Sequence, residues 1–163
     1  EIVPSNKDRF LRKETLQGFV HDEASAFFGG LAGNAGLFST ARDVARVYQM
    51  LLNGGEIDGQ RYLSKETCQL FTTETSKISR RGLGFDKPDA DDPKKGNCAP
   101  AAPAEVYGHT GFTGTCAWVD PVNELVYVFL SNRIYPDVTN RKLNQLHIRE
   151  RIQGAIYDAM KKK

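Results

Sequence analysis

The sequence is poor in the residues that build disulfide frameworks and metal centres. It has three cysteines, an odd number that cannot pair completely, and no C-x-x-C or Cys/His ligand spacing. Its apolar runs are all too short to cross a bilayer. We therefore expect no metal, no cofactor and no membrane span, and the roles of Cys68, Cys98 and Cys116 stay open.

The sequence also lacks a strong charge of either sign. Its 22 Lys and Arg against 20 Asp and Glu give a net charge of +2, which argues against a nucleic-acid partner or a membrane surface. The one basic cluster, 161–163, is typical of a solvated tail. The 163 residues, 40% of them hydrophobic, fit one globular domain spanning 1–163.

The first part of that domain, 1–71, is predicted to be helical and Gly-rich. "FFGGLAGNAGLF" at 27–38 has four glycines in twelve residues, which lets the backbone turn or approach other chains closely. Ser39 is predicted to cap a helix whose apolar residues share one face, and glycines at 54 and 55 end it. A second helix is predicted from Ser64 to about Phe71.

The rest of the chain divides into a long loop and a strand region. Residues 72–105 are the loop, with "GLGF" at 82–85 as its only predicted strand. Residues 106–163 are predicted to form three antiparallel strands joined by turns, followed by a helix. The continuous apolar run 125–130 predicts a strand that is buried on both faces. From about Asn140 a terminal helix is predicted to lie across the sheet. The predicted class is therefore α+β.

The stretch "GHTGFTGT" at 108–115 raises the question of function, since it places glycines and threonines around one histidine at a strand. Together with the following strand, turn and "VYVFLSNR", it closely resembles the end of the serine β-lactamase-related hydrolases. That family includes class C β-lactamases, DD-peptidases and related esterases. The resemblance runs from about Gly18 to the C-terminus, and is strongest to a bacterial branch fused behind a glycoside hydrolase.

The resemblance implies a partial β-lactamase/transpeptidase-like fold and a set of site residues. "HTG" would replace the Lys-Thr-Gly of the strand that lines the family's active site. The histidine would set the proton balance, the threonine would bind substrate, and the next backbone N–H would be an oxyanion donor. Two residues after the last strand could reach a substrate carboxylate. The implied residues are His109, Thr110, Gly111, Phe112, Asn132 and Arg133.

The nucleophile of that family is missing from the sequence. None of the seven serines has a lysine three residues later, so no Ser-x-x-Lys is present. In the family this element precedes the Gly-rich segment. We therefore expect the chain to be the C-terminal part of a larger domain, inactive alone, with its sheet edge prone to self-association. A fused glycoside hydrolase is a further expected partner.

Substrate and location follow from the resemblance alone. A β-lactam, a cell-wall peptide or an ester would be the substrate, and the periplasm or cell surface the location. The alternative reading is a non-catalytic binding domain with a degenerate hydrolase fold. His21 is predicted to be exposed or part of a capping segment, and it would lie near the cleft if it were functional. The aspartates at 86, 89, 91 and 92 are predicted to form a solvated loop rather than a calcium site.

Overall fold

The structure is a computed structural model that describes residues 1–73, 76, 78–89, 91–92 and 96–161. Helices and small antiparallel sheets both occur along the chain, which confirms the α+β class. In chain order the elements are β1 (Pro4–Lys7), β2 (Thr15–Gln17), α1 (Glu23–Phe27), α2 (Ala41–Leu52), β3 (Glu56–Ile57), β4 (Gln60–Arg61), α3 (Lys65–Thr72), β5 (Tyr107–Thr110), β6 (Cys116–Asp120), β7 (Leu125–Phe129), α4 (Lys142–Gln145) and α5 (Ile148–Met160). Lys162 and Lys163 of the expected solvated tail lie outside the described residues.

The largest sheet is antiparallel, with the strand order β5-β6-β7. Its register places His109 opposite Ala117, and Ala117 opposite Val128. Because side chains alternate along a strand, the next residues point to the other face, where Trp118 is 1% exposed. That face carries the hydrophobic core, made of Cys98, Val106, Cys116, Trp118 and Tyr127.

The terminal helix α5 covers this core face, as predicted. The Tyr157 hydroxyl donates to the Asp120 carboxylate at 2.8 Å, and the Tyr127 hydroxyl donates to the carbonyl of Arg149 at 3.1 Å. The prediction of one continuous helix from about Asn140 is wrong, because His147 has a left-handed backbone (φ 49°) that separates α4 from α5.

The helix α2 packs against β6 and β7. An aromatic ladder runs beside it, from Tyr48 to Phe85 at 6.2 Å and from Phe85 to Tyr107 at 5.3 Å between ring centroids. The N-cap of α2 is Thr40, whose hydroxyl accepts a hydrogen bond from the Asp43 amide. The prediction of Ser39 as the cap is therefore wrong by one residue. The predicted cap Ser64 does begin α3.

Two strand predictions need correction. The run 125–130 is not buried on both faces: in β7 only Tyr127 is buried, because within the described residues this strand has a neighbour on one side only. "GLGF" at 82–85 forms no strand; the bridge falls one residue later, where Asp86 pairs with Gly108. The hairpins β1–β2 and β3–β4 were not predicted, since their strands are too short and polar to show alternation.

The long loop contributes to the core instead of remaining apart from it. Cys98 and Ala99 are each 2% exposed, and the Ala99 amide donates to the Gln153 side chain at 2.8 Å. Cys98 therefore packs beneath α5 although the sequence around it shows no periodicity. Among the residues that the structure describes, no helix is long and apolar enough to cross a bilayer.

Candidate active site

The predicted site lies where β5 ends and a tight loop turns into β6. The Gly111 amide donates to the Thr115 carbonyl at 2.8 Å, and the Gly114 amide donates to the Gly111 carbonyl at 3.0 Å. A Cβ on Gly111 would lie 2.3 Å from the Thr115 hydroxyl oxygen, so a larger residue would displace the threonine. Glycine at the third position of "HTG" therefore leaves the Thr115 side chain in its place.

The Phe112 amide points out of this loop. In a trans peptide the N–H is directed opposite to the preceding C=O. The Gly111 carbonyl faces into the loop, toward the Gly114 amide, so the Phe112 N–H faces outward. Within the described part of the chain no acceptor bonds this amide. It is therefore available to a ligand at the end of the sheet.

His109 and Thr110 lie on opposite faces of β5, at the same exposed end. His109 is exposed, and its Nδ1 lies 2.7 Å from the Thr110 carbonyl oxygen. Since a carbonyl oxygen only accepts hydrogen bonds, this contact places a proton on Nδ1, so that in the neutral imidazole the lone pair is on Nε2. The imidazole can then act as a base or an acceptor through Nε2.

Phe112 is 61% exposed, but its ring contacts the ring of His21 and the guanidinium group of Arg133. The ring of His21 stacks on it with centroids 5.4 Å apart and an interplanar angle of 4°. The Arg133 guanidinium carbon lies 4.6 Å from the Phe112 ring centroid, within cation–π range. Arg133 also donates from Nε to the Phe112 carbonyl at 2.9 Å.

The polar groups of Asn132 and Arg133 bond the protein itself. Asn132 donates from Nδ2 to the carbonyls of Pro4 and Ser5, which ties β1 to the end of β7. Arg133 donates from Nη1 to the carbonyl of Asn140 at 3.0 Å. These contacts hold the end of the sheet, and the substrate contacts expected of both residues stay predictions.

His21 adjoins the loop that carries the oxyanion amide, although it is separated from Phe112 by about ninety residues of chain. The pKa of His21 is lowered, first by burial and then by the nearby Arg12 cation, which favours the neutral ring. Its neighbour Asp22 caps α1 by accepting from the Ser25 amide at 2.7 Å. The sequence suggested an exposed or capping-segment residue at His21, but the structure shows it half-buried, and its contact with Phe112 is visible only in the fold.

The aspartates of the long loop divide in two groups. The expectation of a solvated side chain is wrong for Asp86, which is only 1% exposed. Arg80 contacts its carboxylate at 2.8 Å, and the side-chain amide of Asn97 donates to it at 2.8 Å. Asp89 instead accepts from the backbone amides of Asp91 and Asp92, closing a local turn. In the described part of the chain, no group of His, Cys, Asp and Glu could hold a metal ion.

The cysteines are poor candidates for a nucleophile. All three are free and buried. Burial raises the pKa of Cys98 to about 12 and that of Cys116 to about 11, so neither forms a thiolate near neutral pH. Burial also raises the pKa of Cys68.

Comparison with known proteins identifies the family. Residues 4–150 match the Beta-lactamase family. The "Putative D-alanyl-D-alanine carboxypeptidase" of Escherichia coli strain K12 is 37% identical over 135 residues, covering 82% of this chain and 31% of the relative. The protein of the same name from Salmonella typhi has the same identity and coverage. The chain thus spans about a third of the length of these curated relatives.

A solved structure is also similar. The penicillin-binding protein homolog from Caulobacter crescentus is 26% identical, with a TM-score of 0.44, over 55% of this chain and 24% of that one. The family itself rests on the sequence match, which covers most of the chain, from β1 to the start of α5. The chain belongs to the beta-lactamase family.

Proposed function

We propose that this chain forms one wall of the active site of a serine hydrolase that works by acyl transfer. The observation that carries the proposal is the end of β5, where a backbone amide at Phe112 without an acceptor in the described part of the chain lies beside the exposed His109 and the half-buried Thr110 and Gly111. Family membership supports the serine-hydrolase class. The site residues His109, Thr110, Gly111 and Phe112 are part of the proposal.

Each group has a distinct role in that reaction. The Phe112 amide donates to the negative oxygen that develops as the nucleophile adds to the carbonyl, an interaction worth about 2.7–4 kcal/mol per donor. The Thr110 hydroxyl hydrogen-bonds the substrate. His109, with its lone pair on Nε2, takes part in the proton balance around the nucleophile.

The nucleophile comes from polypeptide outside these residues. No serine of the sequence has a lysine three positions later, and the buried cysteines have raised pKa values. The relatives are about three times as long as the aligned chain. Exposed apolar side chains in the Gly-rich segment, such as Phe27 and Phe28 at 78% each, support a further part of the domain packing there.

The substrate class follows from the relatives' name. A D-alanyl-D-alanine carboxypeptidase acts on the D-alanyl-D-alanine end of a peptide, so we propose such a peptide as the substrate of the complete protein. That chemistry belongs in the periplasm or at the cell surface. Self-association of the isolated chain and fusion to a glycoside hydrolase remain parts of the proposal; light scattering after size exclusion tests the first.

Covalent labelling tests the proposal. A fluorescent penicillin is added to this chain and to the full-length polypeptide that contains it, and adducts are read by intact mass. We expect no adduct on this chain and one on the longer polypeptide. In the longer polypeptide Thr110→Val should slow acylation about tenfold, the effect of one lost hydrogen bond. Thr113→Val, a matched change two residues beyond Gly111, should leave the rate unchanged.

Each other outcome has a definite meaning. An adduct on the isolated chain would show that a nucleophile lies within these residues. A folded longer polypeptide that binds penicillin reversibly without an adduct would favour a non-catalytic binding domain. Equal rates for Thr110→Val and wild type would remove Thr110 from the site.

A further inference from the structure

We propose that His21 is a positioning residue for the oxyanion donor, acting through the ring of Phe112. The inference rests on the function proposed above, because it concerns the same site. Its basis is the stacking of the two rings, 5.4 Å apart and 4° from parallel. The residue lies in the N-terminal region, on the segment between β2 and α1, while its target lies in the loop between β5 and β6.

The loop needs such a restraint. Phe112 lies between Gly111 and Gly114, and glycine neighbours restrict the backbone least of all residues. Removal of one oxyanion donor costs about a hundredfold to a thousandfold in rate, so a donor that points in variable directions loses much of its effect. A fixed direction for the Phe112 N–H therefore matters to the reaction.

Three contacts together fix that direction. The Cα of Phe112 carries the amide nitrogen, the carbonyl carbon and Cβ in a fixed tetrahedral arrangement. Arg133 holds the carbonyl by its Nε at 2.9 Å, and its own amide donates to the Thr113 carbonyl at 2.8 Å. The His21 ring holds the side chain. The carbonyl and the side chain together fix the position of the amide nitrogen. The Gly111 carbonyl, bonded to the Gly114 amide at 3.0 Å, then fixes the rotation about the N–Cα bond and with it the direction of the N–H.

His21 is itself anchored from both sides. The Arg12 guanidinium donates to the carbonyls of Val20 and His21, at 2.9 Å each, and its Nε donates to the buried Asp8 at 2.5 Å. On the other side Asp22 is the N-cap of α1. The ring therefore stands on a framework that does not depend on the loop it contacts.

The stacking itself, and not proton transfer, is the role that the geometry supports. Nδ1 of His21 is buried and has no hydrogen-bond partner within the described ranges. The ring lies parallel to that of Phe112, at a separation at which aromatic rings attract each other, and its lowered pKa favours the neutral form. Phenylalanine at position 21 would keep this contact, whereas alanine would lose it.

Backbone dynamics in this chain provide the first test. The ¹⁵N relaxation of the Phe112 amide is measured in wild type, His21→Ala and His21→Phe. We expect an order parameter of about 0.85 in wild type and His21→Phe, falling below about 0.6 in His21→Ala. His147→Asn serves as the control, because it changes an exposed histidine whose left-handed backbone asparagine tolerates. An unchanged Phe112 order parameter in a folded His21→Ala would overturn the inference.

Acylation kinetics in the full-length polypeptide provide the second test. With the fluorescent penicillin, His21→Ala should lower the acylation rate constant about tenfold and leave the binding constant within about twofold. His21→Phe should restore the rate. Equal losses in folded His21→Phe and His21→Ala would assign the effect to the imidazole nitrogens and overturn the stacking role. Should the wild type not be acylated at all, the proposed function fails and this inference with it; normal acylation of His21→Ala rejects only the inference.

Discussion

The sheet with α5 and the Gly-rich segment 27–38 use similar apolar residues in opposite ways. In the sheet Trp118 is 1% exposed and Val119 is fully buried. In the Gly-rich segment Phe27 and Phe28 are each 78% exposed, and Leu37 is 86% exposed. The two regions differ in what covers them, since α5 and α2 lie on the faces of the sheet and no described element lies over these side chains.

Polar contacts maintain the shape of the Gly-rich segment. Asp22 accepts from the amide and the hydroxyl of Ser25, at 2.7 and 2.8 Å, and Ala32 pairs with Ala35 in an isolated bridge. These contacts lie within the segment or just before it, and none of them involves a phenylalanine ring. In the function proposed above, the apolar side chains of the Gly-rich segment are a surface for another part of the domain, while those of the sheet are the core of this chain.

The largest expected effect on stability comes from a substitution in the core of the sheet. Trp118→Ala removes the largest fully buried side chain and leaves a cavity between β6 and α5. Replacing a buried aromatic residue with alanine costs about 3–5 kcal/mol. We expect that loss in the free energy of unfolding, measured by urea denaturation followed by circular dichroism.

The matched change is Phe28→Ala in the Gly-rich segment. Because its ring is 78% exposed, the free energy of unfolding of this chain should stay within about 0.5 kcal/mol of wild type. In the full-length polypeptide the same variant should be clearly destabilised. A large loss in the isolated chain would show that this segment already packs against a partner, for example a second copy of the chain.

Glycine positions sharpen the comparison at the level of the backbone. A Cβ on Gly108 would lie 2.1 Å from the Ala117 carbonyl oxygen and 2.7 Å from the Trp118 ring. Gly108→Ala should therefore cost about 2–3 kcal/mol by forcing β5 away from β6. Gly33, in the Gly-rich segment, has open space around it and no positive φ, so Gly33→Ala should be neutral or stabilising by about 0.4–1 kcal/mol. Thermal unfolding of the two variants measures these changes in stability. Equal losses of stability in Gly108→Ala and Gly33→Ala would contradict the comparison.

The sequence predicts the local features of the molecule better than the contacts between distant segments. The three strands of the sheet, the caps at Ser64 and the core role of Trp118 follow from local periodicity and turn chemistry. The packing of Cys98 under α5 and the contact of His21 with Phe112 do not, because both join segments far apart in the chain. The sequence located the "HTG" residues through resemblance, but the direction of the Phe112 amide needed the Gly111–Gly114 hydrogen bond.

A smaller effect concerns the ion pair that anchors the segment before α1. Hydrogen bonds from Arg12 and from three backbone amides hold the pKa of the buried Asp8 well below its usual range. A carboxyl whose folded pKa is depressed stabilises the fold above its unfolded pKa of about 4, and this contribution is lost as the pH falls. Asp8→Asn should therefore cost about 2 kcal/mol at pH 7.

The pH dependence is the check on this explanation. The difference in free energy of unfolding between wild type and Asp8→Asn should shrink as the pH falls below about 4, since the unfolded carboxyl then takes up a proton. Asp43→Asn, at the first turn of α2, is an exposed comparison without a buried ion pair. A difference at position 8 that is constant from pH 7 to pH 3 would assign the effect to shape and not to charge.

The smallest expected effect tests the polar contact within the packed region. The Tyr157 hydroxyl donates to the buried Asp120 carboxylate at 2.8 Å, and burial raises the pKa of Tyr157. Tyr157→Phe removes one hydrogen bond but keeps the ring, so we expect a loss of about 1–2 kcal/mol in urea denaturation. The loss stays moderate because Asp120 also accepts from the amides of Val122 and Asn123. Tyr62→Phe, an exposed tyrosine, should change the free energy of unfolding by less than about 0.5 kcal/mol. Equal effects at the two positions would mean that α5 does not depend on this bond for its place on the sheet.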